Sequence, residues 1–370
     1  MDIYSELGVR KVINGLATVT MLGGSIMPPE VLAAMADAAR WFVNLDELQE
    51  KAGRKIAEWT HNEAAYVSCG AAAGLVLSTA ACIAGLDEGK RARLPFSEGL
   101  NNEILVHKRG RVGYDFAIRQ AGGKLVEVGD ENGATPDQLE AAITERSAGI
   151  FVFYRHIGMD GQVPLEEQAA IAHRHNLPLV IDAAAQLPPV ENLWELTRRG
   201  ADLVLFSGGK GLRGPQASGL ILGRRDLIQA CAFHACPRAF IGRPMKAGKE
   251  EIAGLLAALR LYLDQDQAAL LQLYEDQVAW AVQAAAQIPG LSAGRNFPSE
   301  AGQPMPRAEL TLSPSLPIGR DELLRRLLAG EPAIALAAAG EHGVFINPQT
   351  LQPGEEKIIL EQIRAILSHP

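Results

Sequence analysis

The chain has 370 residues, 48% of them hydrophobic and 21% charged, with a formal net charge of −8 at pH 7. That length and apolar content provide a core for one large domain and a smaller one, and the acidic balance excludes a general polyanion-binding surface. Cys69, Cys82, Cys231 and Cys236 show no disulfide framework, and no signal peptide or apolar run of about eighteen residues is present, so a soluble cytoplasmic protein with no membrane partner is expected.

In chain order, helices are predicted over 29–42 and 47–59. Ala64-Ala65-Tyr66-Val67 then reads as a short strand running into Ser68-Cys69-Gly70-Ala71-Ala72-Ala73-Gly74 and a helix through about residue 84. Small residues after a strand let backbone N–H groups approach a phosphate, and the helix dipole favours its charge, so this segment reads as a phosphate cup. The alternative is a turn whose residues are small only for packing. Neither G-x-G-x-x-G nor G-K-[ST] occurs there. Strands at 103–106, 149–153, 179–181, 201–206 and 218–222 alternate with helices at 114–121, 165–175 and 192–199. This predicts an α/β fold with a mainly parallel, doubly wound sheet, whose ligands belong at the strand carboxyl ends. A helical region at 250–287 stops at Pro289-Gly290. Beyond it, strands at 308–312, 333–337 and 344–347 and helices at 320–328 and 353–367 make a smaller α+β domain, with 297–306 a surface loop. The expected division is a large domain over 1–260, including the N-terminal segment, and a small one over 261–370.

Two strand ends carry chemistry. Asp182 closes Leu179-Val180-Ile181-Asp182, and Lys210 lies in Ser207-Gly208-Gly209-Lys210-Gly211, just past another apolar strand. Alone, the first is often a helix cap and the second a surface lysine. Together with the cup they are what a pyridoxal phosphate site needs: a lysine amine for the Schiff base with the cofactor aldehyde, and a carboxylate to hold the pyridine nitrogen protonated. Cys231-x-x-His234-x-Cys236 lacks a fourth ligand and falls in an apolar helix-like stretch, so no metal site is expected.

Five segments, Asn44-Leu45-Asp46-Glu47-Leu48-Gln49, 68–75, 182–189, 207–211 with Gly214-Pro215-Gln216, and Gly242-Arg243-Pro244-Met245-Lys246 with Gly248-Lys249-Glu250-Glu251, carry a resemblance. By them the chain resembles the selenocysteine synthase-like group of fold-type I pyridoxal phosphate enzymes, which includes seryl-tRNA selenium transferase and D-glucosaminate-6-phosphate ammonia-lyase. The resemblance implies that Lys210 forms the Schiff base and moves the substrate α-proton, and that Asp182 pairs with the pyridinium. It places Gln186 at the phenolic oxygen, Ala184 against the ring, and Ser68, Cys69, Gly70, Ala71 and Ser207 around the phosphate. His107 follows a strand where related enzymes often place a ring-stacking side chain; the alternative is a surface histidine beside Lys108, Arg109 and Arg111. Arg243, Lys246 and Lys249 are read as partners for a substrate phosphate or carboxylate, with a solvated helix start as the alternative. A homodimer or larger even oligomer is expected.

Two departures from the group's pattern bear on activity. Leu16-Ala17 stands where relatives tend to keep smaller residues, and 332–338 has no arginine where many relatives place one that would clamp an α-carboxylate. Three classes of activity share the same first stage. One is a lyase that eliminates across the α,β-bond of a hydroxylated, anionic amino acid or amino sugar acid and releases ammonia. Another is a racemase or aldolase. The third is a sulfur or selenium transferase of the seryl-tRNA type. The few residues before Ile13-Asn14 and the acidic balance count against tRNA, so no nucleic-acid partner is expected. A small-molecule lyase is the reading preferred, and retention of Lys210, Asp182 and the cup together argues against an inert binding module.

Overall fold

A computed structural model of the chain describes residues 2–154, 157–158 and 160–368. In chain order its strands are β1 (Val12–Asn14), β2 (Ala64–Ser68), β3 (Glu103–His107), β4 (Lys124–Val128), β5 (Ser147–Phe153), β6 (Leu179–Asp182), β7 (Leu203–Ser207), β8 (Gly219–Gly223), β9 (Leu291–Asn296), β10 (Arg307–Leu312), β11 (Ala333–Ala335), β12 (Ala337–Ala339) and β13 (Gly343–Ile346). They belong to two compact units, Met27–Asp264 and a second formed by Met1–Ile26 with Gln265–Pro370.

The larger unit holds a seven-stranded sheet in the order β2-β8-β7-β6-β5-β3-β4. Contacts from β4 through β3, β5 and β6 to β7 are parallel, while β8 runs antiparallel to both β7 and β2. Helices cover both faces, which is why the central strands are apolar without alternation; every residue of β5 is buried. One face carries Leu105, Ile150, Ile181 and Val204. Helices Leu45–Trp59, Leu165–Arg174 and Lys249–Asp264 pack on that side. The other carries Ile104, Phe151, Val180 and Leu205 under helices Ala71–Ala84 and Arg225–His234. This is the fold-type I architecture.

Local chemistry sets the ends of these elements. The Asn44 side chain accepts from the Asp46 and Glu47 N–H groups at 3.0 and 3.1 Å and starts the helix that follows. Below the sheet, at its opposite end, the buried Asp202 carboxylate accepts from Leu179 N, Arg224 Nη1 and His173 Nε2 at 2.7, 2.8 and 3.0 Å, tying the start of β6 to the chain leaving β8.

In the second unit, β12-β13-β10-β9 form an antiparallel sheet. Val278, Leu310, Leu323, Val344 and Ile359 join its core with helices Gln267–Ala285, Arg320–Ala329 and Glu355–Ser368. The sequence reading carried the first residues with the larger part. Here β1 pairs in parallel with β11, and Asn347 N donates to the Gly15 carbonyl at 2.8 Å, so the N-terminal segment is grouped with the C-terminal residues. Among the described residues no helix is long and apolar enough to cross a membrane.

Candidate active site

The carboxyl ends of β2, β7 and β6 lie side by side because β8 is threaded between the first two. Register pairs Ser68 with Gly219 and Gly219 with Ser207, so two serines flank one glycine across three adjacent strands. On the next strand Asp182 lies opposite Leu205, two residues before Ser207. Side chains alternate along a strand. Ser68, Ser207 and Asp182 therefore share the sheet face that Tyr66, Leu205 and Val180 present to helix Ala71–Ala84.

That helix begins at Gly70, whose φ is +90°, and no side chain caps it. Its first-turn N–H groups are thus available to a ligand, and the helix dipole adds positive potential at the same point. Ser68 Oγ donates to the Gly70 carbonyl at 2.9 Å and holds the turn. Gly219 is a position that reading along the chain does not reveal. A Cβ there would lie 2.7 Å from the Gly70 carbonyl carbon and 2.9 Å from Ala71 N, in the floor of the cup. The Cys69 thiol is held above its ordinary pKa by burial and by the charge of Glu251, so it stays neutral beside the cup at neutral pH.

The lysine loop is closed by its own backbone. Gly208 N donates to Ser218 O and Gly214 N to Gly208 O, each at 2.8 Å, and Arg213 N donates to Lys210 O at 2.9 Å. Gly211 approaches the Leu187 carbonyl so closely that a Cβ would collide with it, which seats the loop on the segment that follows Asp182. Ala184 ties the two further: its N–H donates to Asp182 Oδ1 at 3.0 Å, and its carbonyl accepts from Ser207 N at 3.2 Å. Gln186 is buried beyond it, its carbonyl accepting from Asn192 Nδ2 at 2.8 Å.

Burial pushes the Asp182 carboxyl above its ordinary pKa, against the Ala184 N–H and the Lys210 charge, which both pull it down. A carboxyl so placed gains from a cationic N–H partner. Lys210 Nζ also lies 5.9 Å from the centre of the Tyr114 ring, within cation–π range. Tyr114 was not singled out in the sequence, where only its position after β3 hinted at it.

His107 closes β3, and Arg243 and Lys246 precede the helix that Lys249 begins. His107 is buried rather than on the surface. It shares strand parity with Leu105, on the face opposite Asp182, and its Nδ1 is hydrogen-bonded to Gln162 Oε1. Of the three cations, Lys249 forms an ion pair with the adjacent Glu250, towards which Lys246 also directs its charge. Arg243 is exposed, with Nη1 3.8 Å from Cys236 Sγ. Glu251, whose carboxylate accepts from Gly248 N at 3.0 Å, brings this segment near the cup through its effect on Cys69.

The residues present fit pyridoxal phosphate. Uncapped N–H groups and the Ser207 hydroxyl suit a phosphate dianion, the desolvated Asp182 suits a protonated ring nitrogen, and Lys210 lies within electrostatic reach of Asp182.

Comparison with known proteins agrees. A family model described as L-seryl-tRNA selenium transferase (SelA) matches residues 12–287. D-glucosaminate-6-phosphate ammonia lyase of Salmonella typhimurium is 36% identical over 376 aligned positions, covering 100% of this chain and 98% of that protein. A 5'-C-glycyluridine monooxygenase-decarboxylase of a Streptomyces species is 37% identical, covering 99% of this chain and 92% of that one. A solved structure of D-glucosaminate-6-phosphate ammonia-lyase superposes with a TM-score of 0.87 at 35% identity, over 100% of this chain and 99% of the other.

The cup geometry gives a direct test. Gly219→Ala drives a methyl group into the Gly70–Ala71 turn, and overpacking of this kind is expected to weaken pyridoxal phosphate binding about tenfold or more. Titrating the apoprotein with the cofactor by absorbance reads this; an unchanged dissociation constant would reject the cup.

Proposed function

The chain belongs to the L-seryl-tRNA selenium transferase (SelA) family and is a pyridoxal-phosphate-dependent enzyme, and from that premise we propose that it is a cytoplasmic ammonia-lyase for a hydroxylated, anionic amino acid or amino sugar acid. The end-to-end match to an ammonia-lyase, at 36% identity, is the observation that carries the reading.

Bound pyridoxal phosphate supplies a sink for the electron pair released at the substrate α-carbon. With the cofactor bound, Lys210 Nζ would hold it and would be placed to take the substrate α-proton. Asp182, desolvated and fixed by the Ala184 N–H, keeps the ring nitrogen protonated. The N–H groups of Gly70 and Ala71, with Cys69 beside them, and the Ser207 hydroxyl would hold the phosphate, while Ser68 holds the turn that presents those N–H groups. Ala184 would lie against the ring and Gln186 would serve the phenolic oxygen. Loss of the β-hydroxyl as water, followed by hydrolysis, converts the 2-amino-3-hydroxy acid to a 2-keto acid and ammonia without net oxidation. Arg243 and Lys246, with Lys249 behind its Glu250 partner, attract the anionic end of the substrate.

Borohydride reduction of the holoenzyme followed by peptide mapping is expected to fix the cofactor on Lys210. Label on another lysine, or on none, rejects that role.

A second reading rests on the equally long match to the monooxygenase-decarboxylase. It uses the same Lys210 and Asp182 but consumes oxygen and releases carbon dioxide. Ammonia release and oxygen uptake, measured together on D- and L-hydroxyamino acids, phosphorylated amino sugar acids and glycyl nucleosides, separate the two. Ammonia without oxygen uptake is expected. Oxygen-dependent decarboxylation would transfer the assignment to the second reading, and inversion at the α-carbon without ammonia would make the enzyme a racemase.

The proposal includes a second copy of the chain. Trp41, Phe42 and Val43 are consecutive, large and exposed between helices Pro29–Ala38 and Leu45–Trp59, which supports an apolar contact with another protomer. Light scattering is expected to give a dimer or larger even oligomer; a monomer at micromolar concentration would reject it.

A further inference from the structure

His107 has no part in the proposed chemistry, and the space beside it supplies one. A small cavity between the end of β3, β5 and helix Leu165–Arg174 is lined by His107, Gly110, Phe151, Ile157, Gln162 and Gln168, and admits a single water-sized molecule. His107 Nε2, Gln162 Nε2 and Gln168 Oε1, all on residues of this lining, are buried with no hydrogen-bond partner among the described residues. His107 is 6% exposed and Gln168 2%, so bulk water does not satisfy them. A buried polar atom without a partner is unfavourable, and three of them around one small space amount to a common unmet demand.

The polarity of the three atoms identifies the occupant. Gln168 Nε2 donates to Val163 O at 2.8 Å, which makes Oε1 the remaining acceptor. With Gln162 Oε1 accepting from His107 Nδ1, the imidazole Nε2 is left as an acceptor and Gln162 Nε2 as a donor. We propose that this cavity is a binding site for one ordered water molecule, which donates to His107 Nε2 and Gln168 Oε1 and accepts from Gln162 Nε2. Turning the Gln162 amide over, with His107 protonated on Nε2 instead, leaves one donor and two acceptors, and water meets that set equally well. An ammonium ion, which cannot accept, and a simple anion, which cannot donate, each leave an atom unpaired in both arrangements.

The water joins three elements. His107 ends β3, Gln162 lies in the connection that leaves β5, and Gln168 belongs to the helix that follows. Phe153, the last residue of β5, pairs with Asp182. The connection therefore departs from the sheet end that carries Asp182, and the water fixes its return. His107 is a positioning residue for this connection, kept neutral because burial lowers its pKa more than the bond to Gln162 raises it.

A high-resolution crystal structure of the holoenzyme is expected to show one isolated density peak within about 3.2 Å of all three atoms. An empty cavity, or a side chain occupying it, overturns the proposal. Gln168→Leu removes one acceptor and is expected to abolish the peak and raise amide hydrogen exchange across 157–163 about tenfold, while Gln168→Glu, which keeps an acceptor, restores protection. Unchanged exchange in Gln168→Leu overturns the anchoring role, and if that variant does not fold, the wild-type density alone decides the site.

Discussion

The candidate site depends on one strand running backwards. Had β8 been parallel to its neighbours, a crossover helix would have been needed to return from the end of β7, and the residues after Ser207 would have been carried away from the strand ends. Because β8 is antiparallel, the chain turns over 208–218 at the carboxyl end of the sheet and re-enters it there at Gly219. That return keeps Lys210 at the level of Ser207. It also puts a residue without a side chain between Ser68 and Ser207, where the Gly70–Ala71 turn needs the room.

The electrostatics follow from this arrangement. The helix Ala71–Ala84 is buried along most of its length, so its N-terminal field is little screened by water, and it acts on the sheet face that also bears Asp182. Asp182 is desolvated on that face, and the Ala184 N–H and the charge of Lys210 only partly offset the cost. The site thus keeps apart a place for a dianion and a place for a cationic N–H. A group that carries both charges at the right separation relieves both, and pyridoxal phosphate is such a group. Glu251 near Cys69 works the other way: it keeps the thiol neutral, and a second anion beside the phosphate is avoided.

The positions of residues set by their own strand and turn were legible in the sequence. Ser68, Asp182, Ser207 and Lys210 each sit where an apolar run gives way to small residues, and the structure places the first three at strand ends and Lys210 in the loop that follows Ser207. Gly219 was not legible, because its importance comes from register with β2 and β7, which no local pattern encodes. For His107 the strand end was readable, but parity selects the face, and its partner Gln162 lies 55 residues away. Lys249 illustrates a readable feature left unused: Glu250 is adjacent, and the pair neutralises itself. Among the elements, β4 and β9 escaped notice because they are edge strands with only partial burial. The single helical region at 250–287 is two helices, since the Asp266 side chain accepts from Ala269 N at 3.0 Å and starts the second.

Relatives named for different reactions match this chain over nearly its whole length, so the shared fold does not by itself select the substrate. The segment at 332–338 holds no arginine. The strands β11 and β12 there are built of alanine and isoleucine, and Leu336 between them is buried in the core of the C-terminal unit. An arginine in its place would bring a charge into an apolar cluster with no acid among the residues that form it, a cost of several kcal/mol. An arginine placed at Leu336 is therefore expected to destabilise this unit. In the proposed reaction the cations of the segment at 243–246 attract the acidic end of the substrate. Arg243 and Lys246, separated by a Pro-Met pair, are exposed just before the turn that leads into the helix over Cys69 and the lysine loop, so under the proposed function a change in that short segment is expected to alter specificity without disturbing the cup, the acid or the lysine.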